Sequence, residues 1–309
     1  MPHPSSIMML HYDSESEDKP RRVLDTDGDF TVPDMKPSIT FKLHEFRPMV
    51  QDKNGNMIPS TGIMAIRPVP SPAVVQRVQA AMGNGTNGVW AGTVFTPVPG
   101  ASPASMFAPR YINTGSPRRN VQRYVLRRRY VPHIGGLKTM LIYTDGACLA
   151  NGAADARAGW AFIFKPGSAG AVSGVLEQKG PDGELHRATS NRAELRAVIA
   201  TLEFRQWWGE GFQRIVIATD SECVAYGVTA WLKTWAARGW RTSGGSRVQN
   251  QDLWERLSER MGSFVEGGCE VSFWRVPRAW NAEADQAAKV AAEDGGINVE
   301  YAIQEGFMI

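Results

Sequence analysis

Leu141-Ile142-Tyr143-Thr144-Asp145-Gly146-Ala147 is the stretch on which the reading of this chain turns. It is an apolar run closed by an acid and a glycine, the pattern of a buried strand that holds a carboxylate out at Asp145. Three more acids lie downstream in contexts that bring them to the same place. They are Glu194 in Ser190-Asn191-Arg192-Ala193-Glu194-Leu195, Asp220 in Ala218-Thr219-Asp220-Ser221, and Asp285 in Asn281-Ala282-Glu283-Ala284-Asp285.

The elements around that strand are legible from periodicity. Strands are expected over residues 139–147, 158–164 and 172–179, with Asn151-Gly152 and Pro166-Gly167 in the turns between them. The period then changes. Leu195, Val198, Ile199, Leu202 and Phe204 have helical spacing, with Ser190 or Asn191 as the N-cap and Glu194 in the first turn. Ile215 to Ala218 reads as a short central strand. A helix starts at Ser221 and runs through Trp231 and Trp235. Leu253, Leu257, Met261 and Phe264 mark another, residues 270–276 form the last strand, and the alanine-rich residues 281–293 form the closing helix. The order βββ-α-β-α-α-β-α implies a mixed α/β sheet of five strands, three antiparallel and then two parallel, with helices on both faces. Asp145 and Asp220 then fall at C-terminal strand ends, where sites collect in such sheets.

Of the 309 residues, the first 138 are of a different kind. Residues 1–138 hold 17 Lys/Arg against 10 Asp/Glu, whereas residues 139–309 hold 17 against 21. A basic front half on an acidic back half suits an extension that attracts a polyanion. Frequent prolines from Pro2 to Pro72 break long elements, so residues 1–109 read as a largely irregular extension. Within it, Ile39 to Leu43 and Gly88 to Phe95 suit short strands, and Val74 to Met82 a short helix. Residues 110–138 form a basic linker with Arg118, Arg119, Arg123, Arg127, Arg128 and Arg129, interleaved with Tyr111, Tyr124 and Tyr130 and free of acids. This is either a nucleic-acid tether or import signal, or a solvated linker. Residues 139–295 form the domain, and residues 296–309 a tail.

Cys148, Cys223 and Cys269 show no metal spacing, and an odd count fits reduced thiols. No apolar run approaches the ~20 residues that span a bilayer. The expectation is an intracellular protein of nucleus or cytoplasm, not secreted, without membrane or evident protein partner, and monomeric.

Carboxylates that crowd one another protonate unless a cation lies between them, and hard oxygen ligands suit Mg²⁺. Two such ions activate a water and stabilise the leaving oxygen of a phosphodiester. Taken together, Tyr143-Thr144-Asp145-Gly146-Ala147, Arg157-Ala158-Gly159, Thr189 to Glu194, Thr219-Asp220-Ser221 and Glu283 to Ala288 resemble type-1 ribonuclease H closely, in order as well as content. The resemblance spans about residues 139–295 and is of the cellular, eukaryotic or fungal-like kind.

It implies a ribonuclease H-like fold and an endonuclease acting on the RNA strand of RNA–DNA hybrids, with 5′-phosphate and 3′-hydroxyl products. Two Mg²⁺ ions, or Mn²⁺ in their place, would be held by Asp145, Glu194, Asp220 and Asp285. By the same resemblance Asp145 bridges both ions, Asp285 shares the nucleophile side, and Glu194 and Asp220 share the leaving-group side. Asn151, Ser190 and Asn191, with the Glu194 carboxylate, are candidates for 2′-hydroxyl contacts. Thr189 and Asn250 match positions that hold a DNA phosphate. Trp231, Trp235 and Arg238 lie in a stretch resembling the basic, tryptophan-rich protrusion of the cellular enzymes, although core packing of the tryptophans explains part of that pattern. The rival reading is a catalytically weak module on the same fold that binds hybrid or double-stranded RNA.

One departure stands out. Many family members carry a histidine in a mobile loop before the last aspartate, associated with product release. Residues 275–281 contain none, and His186 is the sole histidine within residues 139–295. Slower turnover is expected, with Arg278 as the positive group that remains in the loop.

Overall fold

The computed structural model describes residues 69–83, 88–107, 134–167, 170–294 and 296–306 in full. Between residues 23 and 68 and between residues 109 and 133 it describes only the backbone of short strands. The side chains of the arginine-rich stretch that begins at Arg110 lie outside the described residues.

The main sheet follows the expected order and then exceeds it. Its elements are α1 (Pro72–Met82), β1 (Thr93–Val94), β2 (Leu137–Leu149), β3 (Arg157–Ile163), β4 (Ala171–Val175), α2 (Ser190–Phe204) and β5 (Arg214–Thr219). They continue as α3 (Glu222–Tyr226), α4 (Leu232–Ala237), α5 (Gln251–Glu266), β6 (Glu270–Arg275) and α6 (Ala282–Glu293). The strand path is β4-β3-β2-β5-β6-β1. β2, β3 and β4 pair antiparallel, and β5 and β6 add parallel. Five strands were expected on this path and six are present. The sixth, β1, pairs parallel with the edge of β6 through Ser272↔Thr93 and Phe273↔Val94. A strand pair, Pro109–Asn113 with Val125–Ile134, also joins the start of β2.

Alternation along β2 splits the core. Met140 and Ile142 face a large cluster with Trp160, Phe162, Ile215, Ile217 and Phe273, covered by α2 and α5. Leu141 faces a smaller cluster on the other side, with Val216, Ala218 and Trp274. The second face is shared between α6 and the segment that follows β1. α6 lies so close to β3 that a Cβ at Gly159 would come within 2.5 Å of the Ala292 nitrogen. Phe95 and Phe107 cover the remainder, with ring centroids 5.3 and 6.4 Å from Trp274.

Residues 69–83 and 88–107 therefore wrap the β6 edge. Val78 and Met82 of α1 enter the large cluster, β1 caps the edge, and Phe95 and Phe107 seal the far face. The Val271 N–H donates to Met82 Sδ at 3.4 Å. A sheet edge left open is a hazard, and a short covering strand removes it. The tail is likewise tied down. Gln178 N–H donates to Asn298 O, and the Arg196 guanidinium donates to Ala302 O at 2.6 Å. Among the described residues no helix is long and apolar enough to cross a membrane.

If this wrap is part of the core, Phe95→Ala should cost about 3 kcal/mol in denaturant unfolding, the range for a large-to-small change at a buried ring. A cost below about 0.5 kcal/mol would show that the segment is peripheral.

Candidate active site

The site is built where β2 meets the start of α2. β2 was expected over residues 139–147 and runs from Leu137 to Leu149, so Asp145 lies within the strand and not at its end. The strand reaches Leu149, paired with β3, because the hairpin supplies a partner that far. What stops beside Asp145 is the parallel neighbour: the last β2–β5 pair is Tyr143↔Ala218. Asp145 thus projects where β5 leaves a gap, 3% exposed.

Gly146 explains the spacing. A Cβ there would lie 2.1 Å from the Glu194 backbone nitrogen and 2.3 Å from Ala193 C. Only a residue without a side chain lets α2 press onto β2 at this point. The N-cap of α2 is Thr189, not Ser190 or Asn191. Its hydroxyl accepts the Arg192 N–H at 3.2 Å, so the helix begins one residue earlier and Glu194 lies just past the first turn. Asp220 follows β5 directly. Thr219 Oγ1 accepts the Ser221 N–H at 3.0 Å, and Ser221 caps α3.

One carboxylate oxygen from each of Asp145, Glu194 and Asp220 lies within 4.8 Å of the others. Burial, first, and then the charges of Asp220 and Asp285 push the Asp145 carboxyl up from 3.8 to about 7. Burial and then Asp145 and Asp220 raise Glu194 well above the carboxylate range. Glu194 Oε2 is buried without a hydrogen-bond partner. Asp285, in the first turn of α6, is different. Burial pulls it upward, but Lys289 and Arg278 outweigh that and hold it below the ordinary range.

Asn281 was not singled out from sequence for a role. It is 1% exposed. Its side-chain amide donates to Thr144 O at 3.0 Å and to Asp220 Oδ1 at 2.8 Å. It ties β2, the residue after β5 and the start of α6 together at one point. The signal available in sequence was its place as the residue before the helix that carries Asp285.

The remaining candidates fall into two groups. Asn191 is exposed, and Thr189 and Ser190 are half-buried, at the start of α2; Asn151 is exposed in the β2–β3 turn. Thr189 and Asn250 are linked through Arg192, a buried residue that sequence reading did not select. Its guanidinium donates to Asp252 at 2.9 and 2.6 Å and to Asn250 Oδ1 at 3.4 Å. Asn250 takes left-handed backbone (φ 56°) ahead of α5.

The second group is the ridge. The expected continuous helix from Ser221 is broken by a π-helical turn over Gly227–Trp231, where a Cβ at Gly227 would strike the Trp254 ring at 2.3 Å. Trp231 is 41% exposed. Trp235 stands between it and buried Trp254, with centroids 5.6 and 5.3 Å away. Arg238 is exposed just beyond. One tryptophan faces solvent and the next braces it from the core.

Residues 137–293 match the family model for RNase H. A protein named ribonuclease H from Treponema pallidum is 37% identical over 126 residues, covering 38% of this chain and 70% of that protein. Another so named, from Escherichia coli, is 32% identical over 179 residues, covering 53% of this chain and 99% of that protein. Among solved structures, RNase H1 from the archaeon Halobacterium salinarum is similar at 27% identity, with a TM-score of 0.32, over 51% of this chain and 99% of that one.

Because Asp145 is raised in the folded state, the metal-free fold binds that proton more tightly than the unfolded chain does. Its stability should therefore fall as pH rises from about 4 to about 7. Asp145→Asn removes the penalty. It should stabilise the metal-free protein by at least about 1 kcal/mol at pH 8 and do little at pH 4. Equal unfolding midpoints of the two proteins at pH 8 would refute this.

Proposed function

We infer, for a chain that belongs to the ribonuclease H family, that it hydrolyses the RNA strand of RNA–DNA hybrids at the acids gathered around Asp145. The observation that carries this is the trio of carboxylates, Asp145 and Glu194 buried and Asp220 half-buried, around an unpartnered Glu194 oxygen. Such a set is unfavourable by itself and suits a divalent cation. The donors are hard oxygens without sulfur or imidazole, which fits Mg²⁺, with Mn²⁺ as a substitute. Asp145, Glu194 and Asp220 would hold an ion on the leaving-group side. Asp145 and Asp285 would hold one on the nucleophile side. When bound, these ions supply the Lewis acid that activates a water and stabilises the leaving oxygen, leaving 5′-phosphate and 3′-hydroxyl ends.

The chain's own residues do the positioning. Gly146 lets Glu194 reach Asp145, and Asn281 fixes Asp220. Asn151, Ser190 and Asn191 would read the 2′-hydroxyls that mark the RNA strand. Thr189 and Asn250 would take a DNA phosphate, each steadied by Arg192. Trp231, Trp235 and Arg238 would carry the DNA strand along the ridge. The arginine-rich stretch from Arg110 would add a salt-sensitive hold on nucleic acid. Three free cysteines suit action in a reducing compartment, nucleus or cytoplasm.

The full chain should cut the RNA strand of a labelled hybrid with Mg²⁺ and stop when the metal is chelated. Asp145→Asn should lower the rate by at least about 100-fold. Undiminished cleavage by that variant would sink the assignment. Tight hybrid binding without cleavage by the wild type would favour the weak-module reading instead.

A further inference from the structure

Asp285 stands apart from the other three acids. Both of its oxygens are already taken by cations of this chain. Oδ1 accepts from Arg278 Nη2 at 2.5 Å, and Oδ2 accepts from Lys289 Nζ at 2.6 Å. Arg278 Nη1 also lies 3.8 Å from Asp220 Oδ2. The guanidinium therefore spans the opening between Asp285 and the trio.

Arg278 has a fixed base and an exposed head. It opens the 3₁₀ turn Arg278–Trp280, and its carbonyl accepts the Asn281 N–H at 2.9 Å. Asn281 is in turn fastened to Thr144 and Asp220. Trp280 leans edge-on against Trp274, with centroids 6.5 Å apart. The Arg278 side chain itself is 69% exposed. It can leave Asp285 without unpacking anything. Lys289 is a helix-surface partner one turn along α6.

We propose that Arg278 is a tethered counter-cation that competes with a divalent ion for Asp285, so that the site fills in two steps. This rests on the metal-site reading above. The first and tighter step uses Asp145, Glu194 and Asp220, which no cation of the chain pairs with so fully. The second needs Asp285, and so needs Arg278 to swing away. A guanidinium and a divalent ion repel at contact distance and do not share one oxygen. Once released, the guanidinium remains on a rigid turn at the rim, free to meet a phosphate. Nucleic acid would then favour the second step, and by reciprocity the second ion would favour nucleic acid.

The test is calorimetric titration of Mn²⁺, without nucleic acid, into the full chain and its Arg278→Ala, Arg278→Gln, Arg278→Lys and Asp145→Asn variants. The wild type should show two steps. Arg278→Ala and Arg278→Gln should tighten the weaker step about two- to fivefold, the scale of one exposed ion pair, and leave the tighter one within about twofold. Arg278→Lys should stay near wild type. A weaker step that is unchanged or loosened in both neutral variants overturns the proposal, as does a single step in all the Arg278 chains. If no chain binds Mn²⁺, the metal-site reading itself fails and the proposal falls with it. Loss of the tight step in Asp145→Asn alone supports that reading, so a failure at Arg278 is told apart from a failure of the site.

Discussion

Three carboxylates held with oxygens within 4.8 Å, largely out of water, are the constraint on which the rest of this molecule depends. Mutual repulsion and burial both act against their ionised forms. The consequence is visible in Asp145, pushed up to about 7, and in Glu194, raised well out of its ordinary range. A fold does not keep such an arrangement for stability, since it weakens the metal-free protein as the pH rises. The arrangement makes sense as a site waiting for positive charge.

Keeping it requires a rigid frame, and the frame is made of close approaches. Gly146 admits the backbone of α2, Gly159 admits α6, and Gly227 admits the Trp254 ring. Each is a place where a methyl group would force two elements apart. Asn281 then locks β2, Asp220 and the start of α6 with one amide. Behind the site, Phe95 and Phe107 pack on Trp274, whose other edge meets Trp280 in the turn that carries Arg278. Sequence upstream of the matched family region thus supports the strand that leads into the turn beside the candidate site.

Much of this is readable in the chain itself. The motif around Asp145 and the switch from period 2 to period 3.6 after residue 190 are strong local signals, and they yield the βββ-α-β-α-α-β-α order. What escapes has physical reasons. A short strand within Gly88 to Phe95 was expected, but β1 is only two residues long, and alternation could not show that it adds to the open edge of β6. The N-cap is Thr189 rather than Ser190 or Asn191 because three capping residues in a row compete, and only packing chooses. The π-helical turn at Gly227 comes from a contact with Trp254, 27 positions away in sequence. The four acids read alike in sequence, yet Asp285 is bound by Arg278 and Lys289 while Glu194 keeps a buried oxygen without a partner. That difference depends on a short turn and a helix face, and motif spacing carries neither.

On this account the buried acids await a cation and hold protons until it comes. The direct measurement is the number of protons released when Mn²⁺ binds, obtained by calorimetry in buffers of different ionisation enthalpy across pH 6 to 8. With Asp145 raised to about 7, binding should release protons, more of them at pH 6 than at pH 8. Affinity should weaken as pH falls, and the Asp145 share of the release should vanish in Asp145→Asn. Binding that releases no protons and keeps one affinity across that range would contradict the account.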